Sequence, residues 1–195
     1  MLEADAAFSA CGQYRWWLRR CWDSQAPVLL FIGLNPSRAD GVRDDPTLRR
    51  LVGFARCWGY GALEVVNLFA RISPAPAALK RVGDPVGESN DAWLQRAQEG
   101  AICSTRPGAC PVAPAIWLGW GNQGAWRGRD QQVLALLQTA DTMRQCRPVW
   151  CLGLTAAGQP RHPLYVAAAT ARQRLVLAQT AGAGAFCGAP LQLQG

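Results

Sequence analysis

Four short apolar runs, separated by longer polar or amphipathic segments, limit the fold of this 195-residue chain more than any other feature. The runs are VLLFIGL at 28–34, LEVVNLF at 63–69, AIWLGW at 115–120 and VWCLGL at 149–154. Each has the length of a strand, and near-continuous apolar character is typical of a strand that is covered on both faces. The pattern therefore predicts a three-layer α/β/α sandwich around a mainly parallel, four-stranded central sheet.

Helices are expected beside and between these runs, and local signals place some of their ends. Asp45 is suited to cap a helix that has a proline at its first position, and Ser89 or Asn90 is suited to cap the next helix. The expected helical segments are 14–22, 48–58, 91–100 and 131–139. Residues 1–180 are expected to form one domain, and the small-residue-rich stretch 181–195 is expected to be a loose tail.

The charged residues narrow the classes of function. The formal net charge is +7, Lys80 is the only lysine, and His162 is the only histidine. A metal site built on several histidines is thereby excluded, and no metal or other cofactor is expected. Residues 101–195 carry eight arginines against two aspartates, which favours a polyanionic partner such as nucleic acid. An arginine-rich coding bias would produce the same composition, so the charge alone does not separate the two explanations.

The eight cysteines contain no C-x-x-C motif, so neither a zinc ribbon nor a simple redox motif is expected. The N-terminal segment has no continuous apolar signal core, and no uncharged apolar stretch is long enough to span a membrane. These features lead us to expect a cytoplasmic protein with reduced thiols and no membrane partner.

Polar segments follow the four apolar runs or overlap their ends. They are GLNPS at 33–37, NLF at 67–69, WGNQG at 120–124 and GQPRHPLY at 158–165. Because ligands of parallel sheets bind beyond the carboxyl ends of the strands, we expect a site there. No Ser-His-Asp triad can be argued around the single histidine, and the glycine-rich GWGNQG lacks the partners of a dinucleotide site.

In their order along the chain, these segments resemble the motifs of the uracil-DNA glycosylase superfamily. GLNPS resembles the GINPG form of the first motif in the mismatch-specific branch, and Asn67 resembles the residue that contacts the pyrimidine edge. LGWGNQG resembles the LLWG-x-x-A segment, and RHPLY resembles the HPSPL loop, which carries a histidine and inserts into DNA. The resemblance covers residues 28–165 and implies the fold of that superfamily.

Longer strings give a nearer resemblance. LNPSRADGVRDDPTLRR, WGYGALEVVNLFA, DPVGESND and PRHPLY look like a bacterial and phage family catalogued as a domain of unknown function. That resemblance implies an association with mobile elements and anti-phage defence. It also implies action on heavily modified pyrimidines such as glucosylated hydroxymethylcytosine.

The resemblance implies a monofunctional DNA glycosylase that flips a modified pyrimidine and hydrolyses its N-glycosidic bond, leaving an abasic site. His162 would donate to the departing base carbonyl, Asn35 would hold water or sugar, and Asp44 would supply negative charge near the sugar cation. Trp120 would stack on the base. The expected substrate-binding residues are Gly33, Leu34, Pro36, Ser37, Asn67, Phe69, Trp120 and Gly121.

This chain departs from the uracil enzymes at two positions. Asn35 stands where they have an aspartate, and Ser37 stands where they have the tyrosine that excludes the thymine methyl group. An amide cannot accept a proton as a carboxylate does, but it can orient water. The small Ser37 need not reject a substituent at C5 of a pyrimidine. A purely structural role stays open for two residues near the expected site. His162 is also suited to cap a turn, and Asp45 is suited to cap a helix.

The expected partner is double- or single-stranded DNA with a modified base, bound by a monomer. Arginines beside the loops would contact phosphates, and one side chain would fill the space of the flipped base. The expected DNA-binding residues are Arg38, Arg43, Arg127, Arg129, Arg161, Pro163, Leu164 and Tyr165. Lys80 lies away from these loops, so no Schiff base and no strand cleavage are expected. Two alternatives remain: an enzyme acting on free nucleotides and a non-catalytic reader of modified bases.

Overall fold

One mixed sheet is the scaffold of the molecule. A computed structural model describes residues 3–37, 44–100, 115–141, 147–177 and 191–194. The strands in these segments are β1 Glu3–Phe8, β2 Arg15–Cys21, β3 Val28–Gly33, β4 Ala62–Asn67, β5 Ala115–Leu118, β6 Val149–Cys151, β7 Gln173–Val176 and β8 Gln192–Leu193. They form one eight-stranded sheet in the order β1-β2-β4-β3-β5-β6-β7-β8.

The four apolar runs form the centre of this sheet. Strand β3 pairs in parallel with β4 and β5, and β5 pairs in parallel with β6. The outer strands β1, β2, β7 and β8 run antiparallel to their neighbours. The chain is therefore α/β, but the expected sheet of four mainly parallel strands is corrected to a mixed sheet of eight. The apolar pattern did not predict the outer strands, because none of them is a continuous apolar run.

The prediction of a helix over 14–22 is wrong, because this segment contains β2. All seven residues of β2 are buried, including its three arginines. One of these, Arg19, donates from Nη1 to Glu64 Oε1 of the adjacent β4 at 3.1 Å. The local pattern suited an amphipathic helix, but pairing with a strand distant in sequence made this segment a β-strand.

Helices cover both faces of the sheet. The four helices in the described segments are α1 Pro46–Cys57, α2 Pro76–Leu79, α3 Asn90–Glu99 and α4 Arg129–Asp141. Leu51 and Phe54 of α1 pack into the core of one face, whereas Leu94 of α3 and Val133 of α4 pack into the core of the other. The predicted cap of α1 is confirmed, since the Asp45 carboxylate accepts from the Leu48 backbone N–H at 2.7 Å.

Some expectations fall outside the described residues. They include Arg38, Arg43 and most of the expected tail, because residues 38–43 and 178–190 are not described. Near the end of the chain, Gln192–Leu193 pairs with β7 as a short strand. No helix within the described segments is long and apolar enough to cross a membrane.

Candidate functional site

A polar recess lies at the carboxyl ends of β3 and β4. It encloses about 360 Å³ of space, part of it open to solvent. Its polar lining comes from segments far apart in the sequence: Arg15, Asn35, Ser37, Asp45, Thr47, Asn67 and His162. Its apolar lining includes Phe31, Leu34, Leu48, Leu51 and Val65.

Hydrogen bonds between loops bring the strand ends together. The Leu68 N–H donates to Gly33 O at 2.9 Å, and the Phe69 N–H donates to Leu34 O at 2.9 Å. The side chain of Asn90, at the start of α3, donates from Nδ2 to the backbone oxygens of Asn67 at 3.1 Å and Leu68 at 2.9 Å. The sequence indicates Asn90 only as a possible helix cap, yet its side chain holds the end of β4 against the recess.

Asn67 lines the recess and carries a buried, unsatisfied donor. The residue is 4% exposed, and its Nδ2 has no hydrogen-bond partner among the described residues. Leaving a buried amide donor unsatisfied costs about 1–3 kcal/mol. Such a group in the lining of a recess is therefore suited to a ligand that supplies an acceptor, as the edge of a pyrimidine does.

His162 caps a turn and lines the recess at the same time. Its Nδ1 accepts from the Leu164 backbone N–H at 3.3 Å, at the start of the 3-10 helix Pro163–Tyr165. In the neutral ring this arrangement places the hydrogen on Nε2, which becomes a donor. Burial lowers the pKa of His162 from its ordinary value of 6.5, and the Asp45 carboxylate opposes this shift. The ring is therefore a neutral donor at pH 7.

The carboxylate of the recess belongs to Asp45, not to Asp44. Asp45 uses Oδ1 to cap α1, while its Oδ2 accepts from the Ser37 hydroxyl. Asp44 does not line the recess, because its carboxylate accepts from Arg20 Nε at 2.8 Å. Asp45, the predicted cap of α1, is therefore also the carboxylate of the recess, one position after the residue expected to be catalytic.

Asn35 is held in a fixed orientation by its amide group. Its Nδ2 donates to the backbone oxygens of Pro36 and Ser73, both at 3.0 Å. With both amide hydrogens engaged, the Oδ1 atom is the group that remains to accept from water or from a sugar hydroxyl. Of the three expected catalytic residues, Asn35 and His162 therefore lie in one recess.

Two glycines at the site allow neighbouring side chains to lie close to the backbone. A Cβ at Gly33 would lie 2.8 Å from Phe31 Cε1 and 3.0 Å from Asn67 Oδ1. Gly121 has φ +69° and stands against His162, with 3.5 Å between the His162 Cβ and the position of an added Cβ. Gly33 is therefore required because a side chain would collide with its neighbours. Gly121 is required because its positive φ disfavours other residues.

Four residues expected to bind substrate do not line the recess: Pro36, Phe69, Trp120 and Gly121. Trp120 is 1% exposed, and its indole N–H donates to Gln159 Oε1 at 2.6 Å. Phe69 is fully buried and packs on Trp126, with 5.2 Å between ring centroids. Pro36 is buried and contributes its backbone oxygen to Asn35. Trp120, the side chain expected to stack on a base, is thus buried and hydrogen-bonded within the protein.

The expected DNA-binding arginines in the described segments have different roles. Arg129 is buried and donates from Nε to Leu68 O at 2.8 Å and from Nη2 to Asp91, so it stabilises the loop after β4. Arg127 and Arg161 are exposed. The side chain of Arg129 is thus held by hydrogen bonds within the protein, whereas contact with DNA was expected of it.

The loop that carries His162 presents two exposed apolar side chains beside the recess. Tyr165 is 84% exposed and Leu164 is 38% exposed, whereas Pro163 is buried. Arg50 of α1 anchors this loop, donating from Nε to Pro163 O at 2.7 Å and from Nη2 to the Val166 backbone oxygen.

Arg15 was missed as a site residue because its segment was expected to be helical. It lies at the start of β2, is 4% exposed and lines the recess. In the sequence, only the run of arginines on this strand could have indicated that Arg15 belongs to the site. Across the described segments, no group of three or more His, Cys, Asp or Glu side chains is arranged to hold a metal ion.

The family model described as "Protein of unknown function (DUF1643)" matches residues 15–164. The match runs from Arg15 at one side of the recess to Leu164 beyond His162, and so includes every polar residue of its lining. No curated protein and no solved structure matches the chain. Because the family model covers well over half of its length, the chain belongs to the DUF1643 family.

Proposed function

We propose that this chain is a monofunctional DNA glycosylase that binds a flipped, modified pyrimidine in the recess and hydrolyses its N-glycosidic bond. The observation that carries the proposal is the buried, unpartnered Nδ2 of Asn67 in the lining of the recess. A cytosine offers O2 and N3, and a uracil offers O2 and O4, as acceptors for such a donor. The motif resemblance around Asn35, Asn67 and His162 supports the same chemistry.

The polar groups of the recess suit the charges that develop as the bond breaks. Positive charge forms on the sugar and negative charge on the base, so a carboxylate and a donor are both needed. Asp45 supplies the carboxylate in place of Asp44, and neutral His162 supplies the donor through Nε2. Asn35 Oδ1 orients the attacking water. Each of these three residues lines the recess.

The position of the single lysine supports hydrolysis without strand cleavage. Lys80, the only lysine, places its Nζ 6.0 Å from the ring centroid of Trp126, and neither of these residues lines the recess. A Schiff base with the sugar needs such an amine at the reacting carbon. The product would be an intact strand with an abasic site and a free base.

The substrate we favour is a heavily modified cytosine such as the glucosylated hydroxymethyl form, which implies a role in defence against phage. Ser37 is small and partly exposed at the recess, which leaves room for a C5 substituent. An enzyme acting on free nucleotides is the second candidate. Burial of Arg129 and Trp120 favours it, since both were expected to contact DNA.

The test uses oligodeoxynucleotides that carry uracil, a mismatch, 5-hydroxymethylcytosine or glucosylated 5-hydroxymethylcytosine, with the free mononucleotides alongside. Abasic sites are detected by alkaline cleavage, and the wild-type protein should release base from at least one modified strand. Asn67→Ala and His162→Gln should each slow release, while Asp23→Asn, at an exposed turn, should not. Activity on mononucleotides alone selects the second candidate. Tight binding without product selects the non-catalytic reader and ends the enzyme proposal.

A further inference from the structure

An irregularity in β2 orients Arg15 toward the recess. In the pairing of β1 with β2, Ala7 faces Trp17 and Phe8 faces Arg15, so Trp16 is an extra residue without a partner across the pair. One extra residue of this kind is a β-bulge, and bulges redirect the side chains next to them. In a regular strand Arg15 would share a face with Trp17, since side chains alternate.

The aromatic contacts show which face each side chain takes. The Trp17 ring lies 6.5 Å from that of Trp93 in α3. The Trp16 ring packs against the Gly87 backbone shortly before α3, where an added Cβ would lie 2.7 Å from Trp16 Cζ3. Both tryptophans therefore occupy the α3 side of the sheet. Arg15 lies on the opposite side, with α1 and the recess.

The recess thus carries opposite charges on different elements. Arg15 comes from β2, beside the end of β4 that carries Asn67, and its backbone N–H donates to Ala70 O at 3.0 Å. Asp45 comes from the start of α1 and is grouped with Ser37 and His162. A guanidinium offers five donors in a planar fork, and its interaction with charge is stronger where water is largely excluded.

We propose that Arg15 contacts the excised base and stabilises the negative charge that develops on its carbonyl oxygen; this inference rests on the proposed function. When the C1′–N1 bond breaks, its electron pair leaves with the base and is shared with the adjacent carbonyl oxygen. The oxygen of water forms the new bond to C1′, and the proton that it releases finally neutralises the base nitrogen. Arg15 and Asn67 bind the base, while Asp45 faces the sugar.

The first experiment measures binding and needs no turnover. The probes are barbiturate, a planar pyrimidine that is an anion at pH 7, and uracil, which is neutral. Isothermal titration should show that the wild-type protein binds barbiturate at least about tenfold more tightly, as expected for hydrogen bonds between charged groups. Arg15→Gln should reduce this preference to about twofold or less, and Arg15→Lys should keep part of it.

Arg172→Gln is the matched control. It removes the same charge at a side chain whose guanidinium lies 4.7 Å from the centroid of the Trp150 ring, outside the recess lining. Its preference for barbiturate should equal that of the wild type. If the wild-type protein binds both probes equally or binds neither, the inference is overturned. The same holds if Arg15→Gln, with an unchanged melting temperature, keeps the full preference.

The second experiment separates this inference from the proposed glycosylase. Single-turnover excision is compared for uracil and 5-fluorouracil, whose fluorine makes the base a better leaving anion. Arg15→Gln should lower the rate more for uracil than for 5-fluorouracil, whereas a purely structural defect would lower both equally. An anion preference that depends on Arg15, without excision of any base, refutes the glycosylase and leaves the anion site. Excision that is unaffected by Arg15→Gln refutes the role of Arg15 and leaves the glycosylase.

Discussion

Asp45 performs two tasks that one substitution can separate. Its Oδ1 caps α1 at 2.7 Å from the Leu48 nitrogen, and its Oδ2 accepts from the Ser37 hydroxyl in the recess. Asparagine caps helices about as well as aspartate, so Asp45→Asn preserves the first task. What it removes is the negative charge, both beside the proposed sugar cation and at the N-terminus of the helix.

The expected magnitudes differ enough to be measured apart. Loss of the charge at the helix end should lower the free energy of unfolding by about 0.3–1 kcal/mol. Loss of one preorganised electrostatic contact in an active site typically lowers the rate about 10²–10³-fold. Asp45→Ala removes the cap as well, so it should cost roughly 1 kcal/mol more in stability than Asp45→Asn. The two variants should excise the base at similar rates.

The assay combines single-turnover excision with urea unfolding of the same protein samples. Asp23→Asn is the control, because this exposed aspartate also accepts from a backbone N–H, that of Gln25 at 2.9 Å. Asp44→Asn, which weakens the contact with Arg20, should lower stability rather than the rate of the folded protein. If Asp45→Asn excises at the wild-type rate, Asp45 is only a helix cap and the assignment of the carboxylate is refuted.

Four further predictions follow from the packing around the recess. Gly33→Ala should cost about 1–3 kcal/mol of unfolding free energy by overpacking, because the added Cβ would lie 2.8 Å from Phe31 Cε1; an unchanged urea midpoint would contradict this. Arg50→Met should release the loop that Arg50 anchors. Hydrogen exchange of the backbone amides at 163–166 should then become faster, while the amides of α1 exchange as slowly as in the wild type. Burial lowers the pKa of His162, so below the ordinary value of 6.5 the unfolded chain binds a proton that the folded chain does not. Stability should therefore fall as pH falls from 6.5 toward the folded pKa, and His162→Gln should remove this part of the pH dependence in urea titrations. Glu64→Ala should cost about 3–5 kcal/mol, since it leaves a buried arginine of β2 without its carboxylate; a loss well below 1 kcal/mol in calorimetry would show that the pair is not stabilising.

The order of the motifs was sufficient to bring together much of the candidate site. Gly33, Asn35, Asn67 and His162 were all expected at the carboxyl ends of parallel strands, and all line one recess. The apolar runs identify these strands because strands buried on both faces need continuous apolar side chains. The cap by Asp45 was equally local, since it depends only on residues within one turn of the helix.

What the sequence by itself determined is therefore the central parallel strands and the polar segments at their ends. Only the tertiary structure decided that β2 is a strand, that its bulge turns Arg15 into the recess, and that Trp120 is buried instead of lining the site. Apolar runs and caps are encoded over a few neighbouring residues. The partner of a buried arginine or the exposure of a tryptophan depends on residues that lie far away in sequence, so the folded contacts settle it.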